Sequence, residues 1–140
     1  MPEIEIFDPR TIATAAYNHL STLRGDRDKD DKVVKQQKSQ ATELYTYLST
    51  WGLLRLKAEE DALKEQEGKK QIVKAFFECL GQLSSEKPEK FMGQAGLKIL
   101  ANPEQTSSDE YLGLTGLGLT IAQEFGFWAT AIYADVKGEE

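Results

Sequence analysis

The residues of this chain that could do chemistry are few and scattered. His19 is its one histidine and Cys79 its one cysteine. An imidazole serves as a general acid or base when a neighbouring group orients it. The sequence offers His19 no second histidine and no patterned carboxylate pair. It falls beside Leu20 at the edge of an apolar helix face, where a structural or surface role is expected. Cys79 lies between Glu78 and Leu80 in an apolar helical stretch without an activating base, which is the setting of a packed, unreactive thiol. One cysteine permits neither an internal disulfide nor a Cys/His array for zinc. No catalytic residue, metal ligand or cofactor follows from these residues, and the chain reads as a non-enzyme.

Two motifs resemble sites and fail on detail. Asp26, Asp28 and Asp30 are spaced like the opening of a calcium loop. That loop needs glycine at its sixth position and a bidentate glutamate at its twelfth; here Asp31 and Gln37 stand there, and Arg27 and Lys29 interrupt the acids. Gly113, Gly116 and Gly118 have the look of a phosphate loop, but such a loop follows a strand and ends in Gly-Lys-Ser/Thr. These glycines fall inside an apolar helix instead. With Ala122, Gly126, Ala129 and Ala131 they form a small-residue surface that allows another helix to come close.

The basic residues are the remaining candidates. Lys32, Lys35 and Lys38 recur every third residue and form a ridge beside the Leu44/Leu48 face of a helix, and Arg55, Lys57, Lys64, Lys69, Lys70 and Lys74 follow. Such a ridge is either a solvated helix face or a surface that tracks phosphates without reading bases. Charge placement bears on the choice. Residues 1–98 balance acids and bases, so the net charge of −6 resides in residues 99–140, where Lys137 is the only base. An acidic whole argues against tight autonomous binding to nucleic acid, because phosphate affinity comes from Lys and Arg.

The elements that must position these residues are helical. A length of 140 residues suits one domain, 1–140. Asp8-Pro9 predicts a helix start, and Ile12, Ala16, Leu20 and Leu23 continue it to Arg24-Gly25. Residues 25–31 read as a charged, mobile loop. From Lys32, an inward face of Val34, Gln37, Ala41, Leu44, Leu48 and Trp51 is predicted, broken at Gly52 and resumed by Leu53, Leu54, Leu56, Ala62 and Leu63 to about Gly68. Further helices are predicted over Lys69–Leu83 and around Phe91–Leu100. The spacing throughout predicts an all-α, single-domain bundle of about five to six helices around a long C-terminal apolar helix.

That last helix, Tyr111–Ala134, holds one charge, Glu124, and opens with Ser107 and Glu110 placed as a capping box. Its length would span a membrane, but Gln123 and Glu124 sit at its centre and its flanks are acidic. A bundle core is the better reading. Glu124 is then expected either to reach solvent or to be buried against a Lys or Arg. Met1-Pro-Glu-Ile-Glu-Ile lacks a basic-then-apolar export signal, and a cytoplasmic protein is expected.

Two segments resemble one family, the small helical subunit of type III CRISPR RNA-guided effector complexes, most nearly the Cmr-type small subunit. Leu44-Tyr45-Thr46-Tyr47-Leu48-Ser49-Thr50-Trp51-Gly52-Leu53-Leu54 looks like that family's apolar helix broken at Gly-Leu, with Trp51 where a polar residue is common. Glu110-Tyr111-Leu112-Gly113-Leu114-Thr115, leading to Trp128-Ala129-Thr130-Ala131, looks like its closing helix. The resemblance implies a non-catalytic subunit in a ribonucleoprotein complex of antiviral defence. Its partners would be the large subunit, the repeated backbone subunits, copies of itself, and guide and target RNA held by backbone contact. From the basic surplus, and not from a family motif, Lys32, Lys35, Lys38 and Arg55 are the expected RNA-backbone contacts. The alternative is a helical adaptor that binds a protein partner and has no RNA role.

Overall fold

Capping chemistry sets most of the helix boundaries. In the computed structural model, which describes residues 8–137, the chain forms six α-helices: α1 Pro9–Arg24, α2 Lys32–Trp51, α3 Leu53–Ala62, α4 Glu67–Ser85, α5 Gly93–Ala101 and α6 Ser108–Ile132. Among the described residues there is no strand. The acidic N-terminal segment considered above lies outside the described residues.

Asp8 caps α1 through the Arg10 N–H at 3.0 Å, and Asp31 caps α2 through the Val33 N–H at 2.7 Å. The Ser107/Glu110 capping box is formed in both directions, at 3.2 and 3.0 Å. Gly52, at φ +90°, separates α2 from α3 with a conformation that an L side chain adopts only under strain.

α2 packs on α4 and α6, α1 on α6 and α4, and α3 on α4 and α5. The core between them includes Leu20, Leu44, Leu48, Ile72, Phe76, Leu80, Ile121 and Phe125, all essentially inaccessible. Phe76 meets Phe77 and Phe125 edge-on, with ring centroids 5.0 and 6.4 Å apart. Edge-to-face packing of this kind adds about 0.5–1.5 kcal/mol per pair beyond area burial.

Four expectations change. The third helix ends at Ala62, and Lys64 takes φ +46°, so Gly68 lies inside α4 and ends nothing. A Cβ on Gly68 would stand 2.2 Å from the Val33 carbonyl oxygen, so this glycine is where the α4 and α2 backbones touch. Trp51 does not join the inward face: it is 52% exposed, with Arg55 over its ring, whereas Leu48 one turn earlier is buried. α6 buries a stripe of Gly118, Ile121, Ala122, Phe125 and Ala129 and leaves Leu112 and Phe127 exposed, so it is not covered all round. Finally, the small-residue surface of α6 is close-packed only in part: Gly118 packs against Phe76 and Leu48, Ala122 and Ala129 are buried and a Cβ on Gly126 would lie 3.8 Å from the Ala41 carbonyl, while Gly113 and Gly116 face open space. Among the described residues no helix is long and apolar enough to cross a membrane.

Candidate nucleic-acid interface

The four basic candidates do not form one cluster. Lys32 is the first residue of α2 and is exposed; Lys35 follows it, half-buried. Lys38 is spent internally: its Nζ donates to the Val136 carbonyl at 2.6 Å and ties the end of the described chain to α2. Arg55 lies beyond the helix break. Trp51 ends α2 about 28 Å along the axis from Lys32, at about 1.5 Å per residue, and Arg55 stands over its indole, 4.1 Å from the ring centroid. Lys32 and Lys35 thus belong to one end of α2, and Arg55 to the other.

Buried amides hold the lysine end in place. Gln37 is fully buried, as its inward spacing predicts, and its Nε2 donates to Gln71 Oε1 at 2.7 Å and to the Leu23 carbonyl at 3.3 Å. Gln36 Oε1 accepts the Gly68 N–H at 2.9 Å. These bonds seat the start of α4 beside residues 33–37, which brings the backbone of Lys69 and Lys70 alongside the first turns of α2. The clash distance at Gly68 marks the same approach. The sequence holds one sign of it, a glycine just before two lysines, but only the α2–α4 contact makes that glycine meaningful.

Other members of the basic surplus are placed elsewhere. Lys57 is buried, with Nζ 3.1 Å from Glu60 Oε1 and 5.3 Å from the centre of the Phe77 ring. It therefore offers nothing to a ligand. Arg24 forks onto Asp135 at 2.7 and 3.0 Å and also donates to the Ile132 carbonyl at 3.1 Å. Hydrogen bonding to Arg24 holds the Asp135 carboxyl below its ordinary range. The loop before α2 carries its own bonds: Asp28 Oδ2 accepts the Asp30 N–H at 2.9 Å, and Arg27 reaches Asp31 at 3.5 Å.

His19 lines a shallow groove of about 410 Å³ between α1 and α4, with Asn18, Thr22, Gln71, Lys74 and Glu78. Its Nδ1 lies 3.5 Å from Glu78 Oε1. Burial lowers the imidazole pKa and the Glu78 charge opposes that shift. The Cys79 thiol, buried in the core, is pushed up to about 12, mainly by desolvation, which leaves it protonated and inert at neutral pH. Among the described residues no group of three His, Cys, Asp or Glu side chains is arranged to hold a metal ion.

Glu124 is half-buried, so it reaches solvent in part, and it accepts the Trp128 indole N–H at 3.2 Å rather than a bond from a basic side chain. Trp128 in turn packs edge-on against Tyr17 and Phe127, at 5.4 and 5.1 Å.

No protein-family model, curated protein or solved structure matches the chain.

Proposed function

We propose that this chain is a non-catalytic small subunit of a type III CRISPR ribonucleoprotein effector complex, acting in the cytoplasm. It supports assembly beside the large and repeated backbone subunits and holds guide and target RNA by phosphate contact. The reading includes a single domain organised around α6 as its apolar axis. The observation that carries it is a contact between the two segments that bear the family resemblance: the Leu54 N–H, just after the Gly52 break, donates to the Tyr111 hydroxyl at the head of α6, at 2.8 Å. Two stretches far apart in sequence are thereby held together at the Gly52 break. Exposed Lys32 and half-buried Lys35, at the positive end of the α2 dipole, are the leading phosphate contacts. Lys38, bound to the Val136 carbonyl, fixes the end of the described chain rather than a phosphate, and Arg55 contributes at the far end.

Purification of the tagged chain from its native host tests the reading. Larger subunits and guide-length RNA should come with it, and a Lys32→Glu, Lys35→Glu pair should reduce RNA protection in the assembled complex. The second reading, a protein-binding adaptor, is favoured by the exposed Phe127 and Leu112. Partner binding that ignores ribonuclease and survives high salt, with no RNA present, would establish it in place of the first.

A further inference from the structure

The corner between α2 and α3 presents two planar groups to solvent. Trp51, the last residue of α2, is 52% exposed. Arg55, in the first turn of α3, is exposed and lies over one face of the indole at 4.1 Å. The corner is fixed from both sides: the Gly52 N–H donates to the Leu48 carbonyl at 2.9 Å, and the Leu54 N–H to the Tyr111 hydroxyl at 2.8 Å. Stability gives no reason for the arrangement, since an exposed cation–π pair contributes only about 0.5–1 kcal/mol and the indole remains half in water.

Each group keeps a side for a ligand. With Arg55 over one face, the rest of the indole can stack a planar ring. The guanidinium, which the Tyr47 hydroxyl also engages, has further N–H groups for an oxyanion. A planar ring joined to an oxyanion is the chemistry of one nucleotide, and unpaired bases are taken on aromatic rings and guanidinium planes in this way.

The surroundings favour a nucleotide over a protein surface. A protein-docking anchor sits among apolar contacts that exclude water. Among the exposed residues of the last turns before Trp51, Thr46, Ser49 and Thr50 carry aliphatic hydroxyls and Tyr45 a phenol ring. The Tyr47 hydroxyl is within hydrogen-bonding reach of Arg55 and within electrostatic reach of Glu59. Glu59, one turn past Arg55, places a carboxylate near the corner, which disfavours a run of phosphates there.

We infer that the Trp51–Arg55 corner stacks one unpaired base of single-stranded RNA on the indole and takes the adjoining phosphate on the Arg55 fork. The inference rests on the RNA-holding reading above and adds a base contact at the far end of α2 from the lysines.

The test uses the full chain carrying Trp128→Phe, which leaves Trp51 as the only tryptophan. It is titrated with a short oligouridylate and with an abasic ribose–phosphate oligomer of the same length. The oligouridylate should quench Trp51 emission and the abasic oligomer should not. With labelled oligouridylate followed by anisotropy, Trp51→Ala should weaken binding about tenfold, with Trp51→Phe recovering most of the loss. Arg55→Lys should weaken it several-fold through loss of the fork. Absence of quenching, equal quenching by the abasic oligomer, or unchanged affinity in Trp51→Ala overturns the inference. So does a Trp51→Ala chain that keeps its oligouridylate affinity but loses protein subunits from a ribonuclease-treated complex. If the corner fails while the Lys32→Glu, Lys35→Glu pair still reduces RNA protection, the inference alone falls. If neither changes, the RNA-holding reading falls with it.

Discussion

The Tyr133 hydroxyl, just past the end of α6, donates to Gln37 Oε1 in the body of α2 at 2.7 Å, and both side chains are wholly buried. Gln37 passes its own N–H groups on to Gln71 and Leu23. One amide thus joins α2 to α4, to the end of α1 and to the residue that closes α6. Burial raises the Tyr133 phenol above its ordinary pKa, so it stays a donor throughout the neutral range. Removing the hydroxyl by Tyr133→Phe leaves a buried amide oxygen without its donor. A loss of about 1–2 kcal/mol is expected, read as a lower urea midpoint. A double-mutant cycle with Gln37→Ala should show the two effects to be strongly non-additive.

Gly68 and Gly116 should respond to alanine with opposite signs. At Gly68 the new methyl would meet the Val33 carbonyl oxygen at 2.2 Å, and α2 and α4 would have to part. Gly68→Ala is expected to destabilise the chain by about 2 kcal/mol or more. At Gly116 nothing lies within 4 Å, and the residue is inside α6. Gly116→Ala should therefore stabilise by about 0.5–1 kcal/mol through helix propensity. Thermal melts of the two variants against the parent chain decide both.

Lys38 and the Lys32/Lys35 pair should separate stability from RNA contact. Lys38→Met removes a 2.6 Å bond to the Val136 carbonyl while keeping the aliphatic stem. It should lower the melting temperature and leave RNA protection in the complex nearly unchanged. Lys32→Glu with Lys35→Glu should do the reverse. A Lys38→Met complex that loses RNA protection at full stability would return Lys38 to the phosphate surface.

His19 gives a pH dependence with a definite sign. Its folded pKa is lowered, chiefly by burial, so below about 6.5, the ordinary imidazole value, the unfolded chain binds more protons than the folded one. Stability is then fully present above that pH and falls as the pH drops through it. Urea midpoints measured on either side of that value should decline toward acid, and His19→Gln should flatten the decline. An unchanged slope in the variant would assign the acid sensitivity to carboxylates instead.

Much of the helical layout was legible in the sequence, because its signals are local. Asp8-Pro9, Asp31 and the Ser107/Glu110 box each mark a helix start through groups within three residues of one another, and Gly52 marks a break by its own backbone freedom. The inward position of Gln37 also followed from spacing alone. What the sequence could not decide is which neighbours meet those faces. Periodicity placed Trp51 inside, but at the end of the helix Arg55 is what meets the indole, and half of the side chain stays exposed. Net charge counted Lys57 and Lys38 as surface cations, whereas Glu60 and the Val136 carbonyl hold them. Gly68 looked like a helix end until the fold laid α4 on the Val33 backbone. Local chemistry sets where helices begin and stop; burial and pairing depend on groups distant in sequence, and only the packed tertiary structure brings those together.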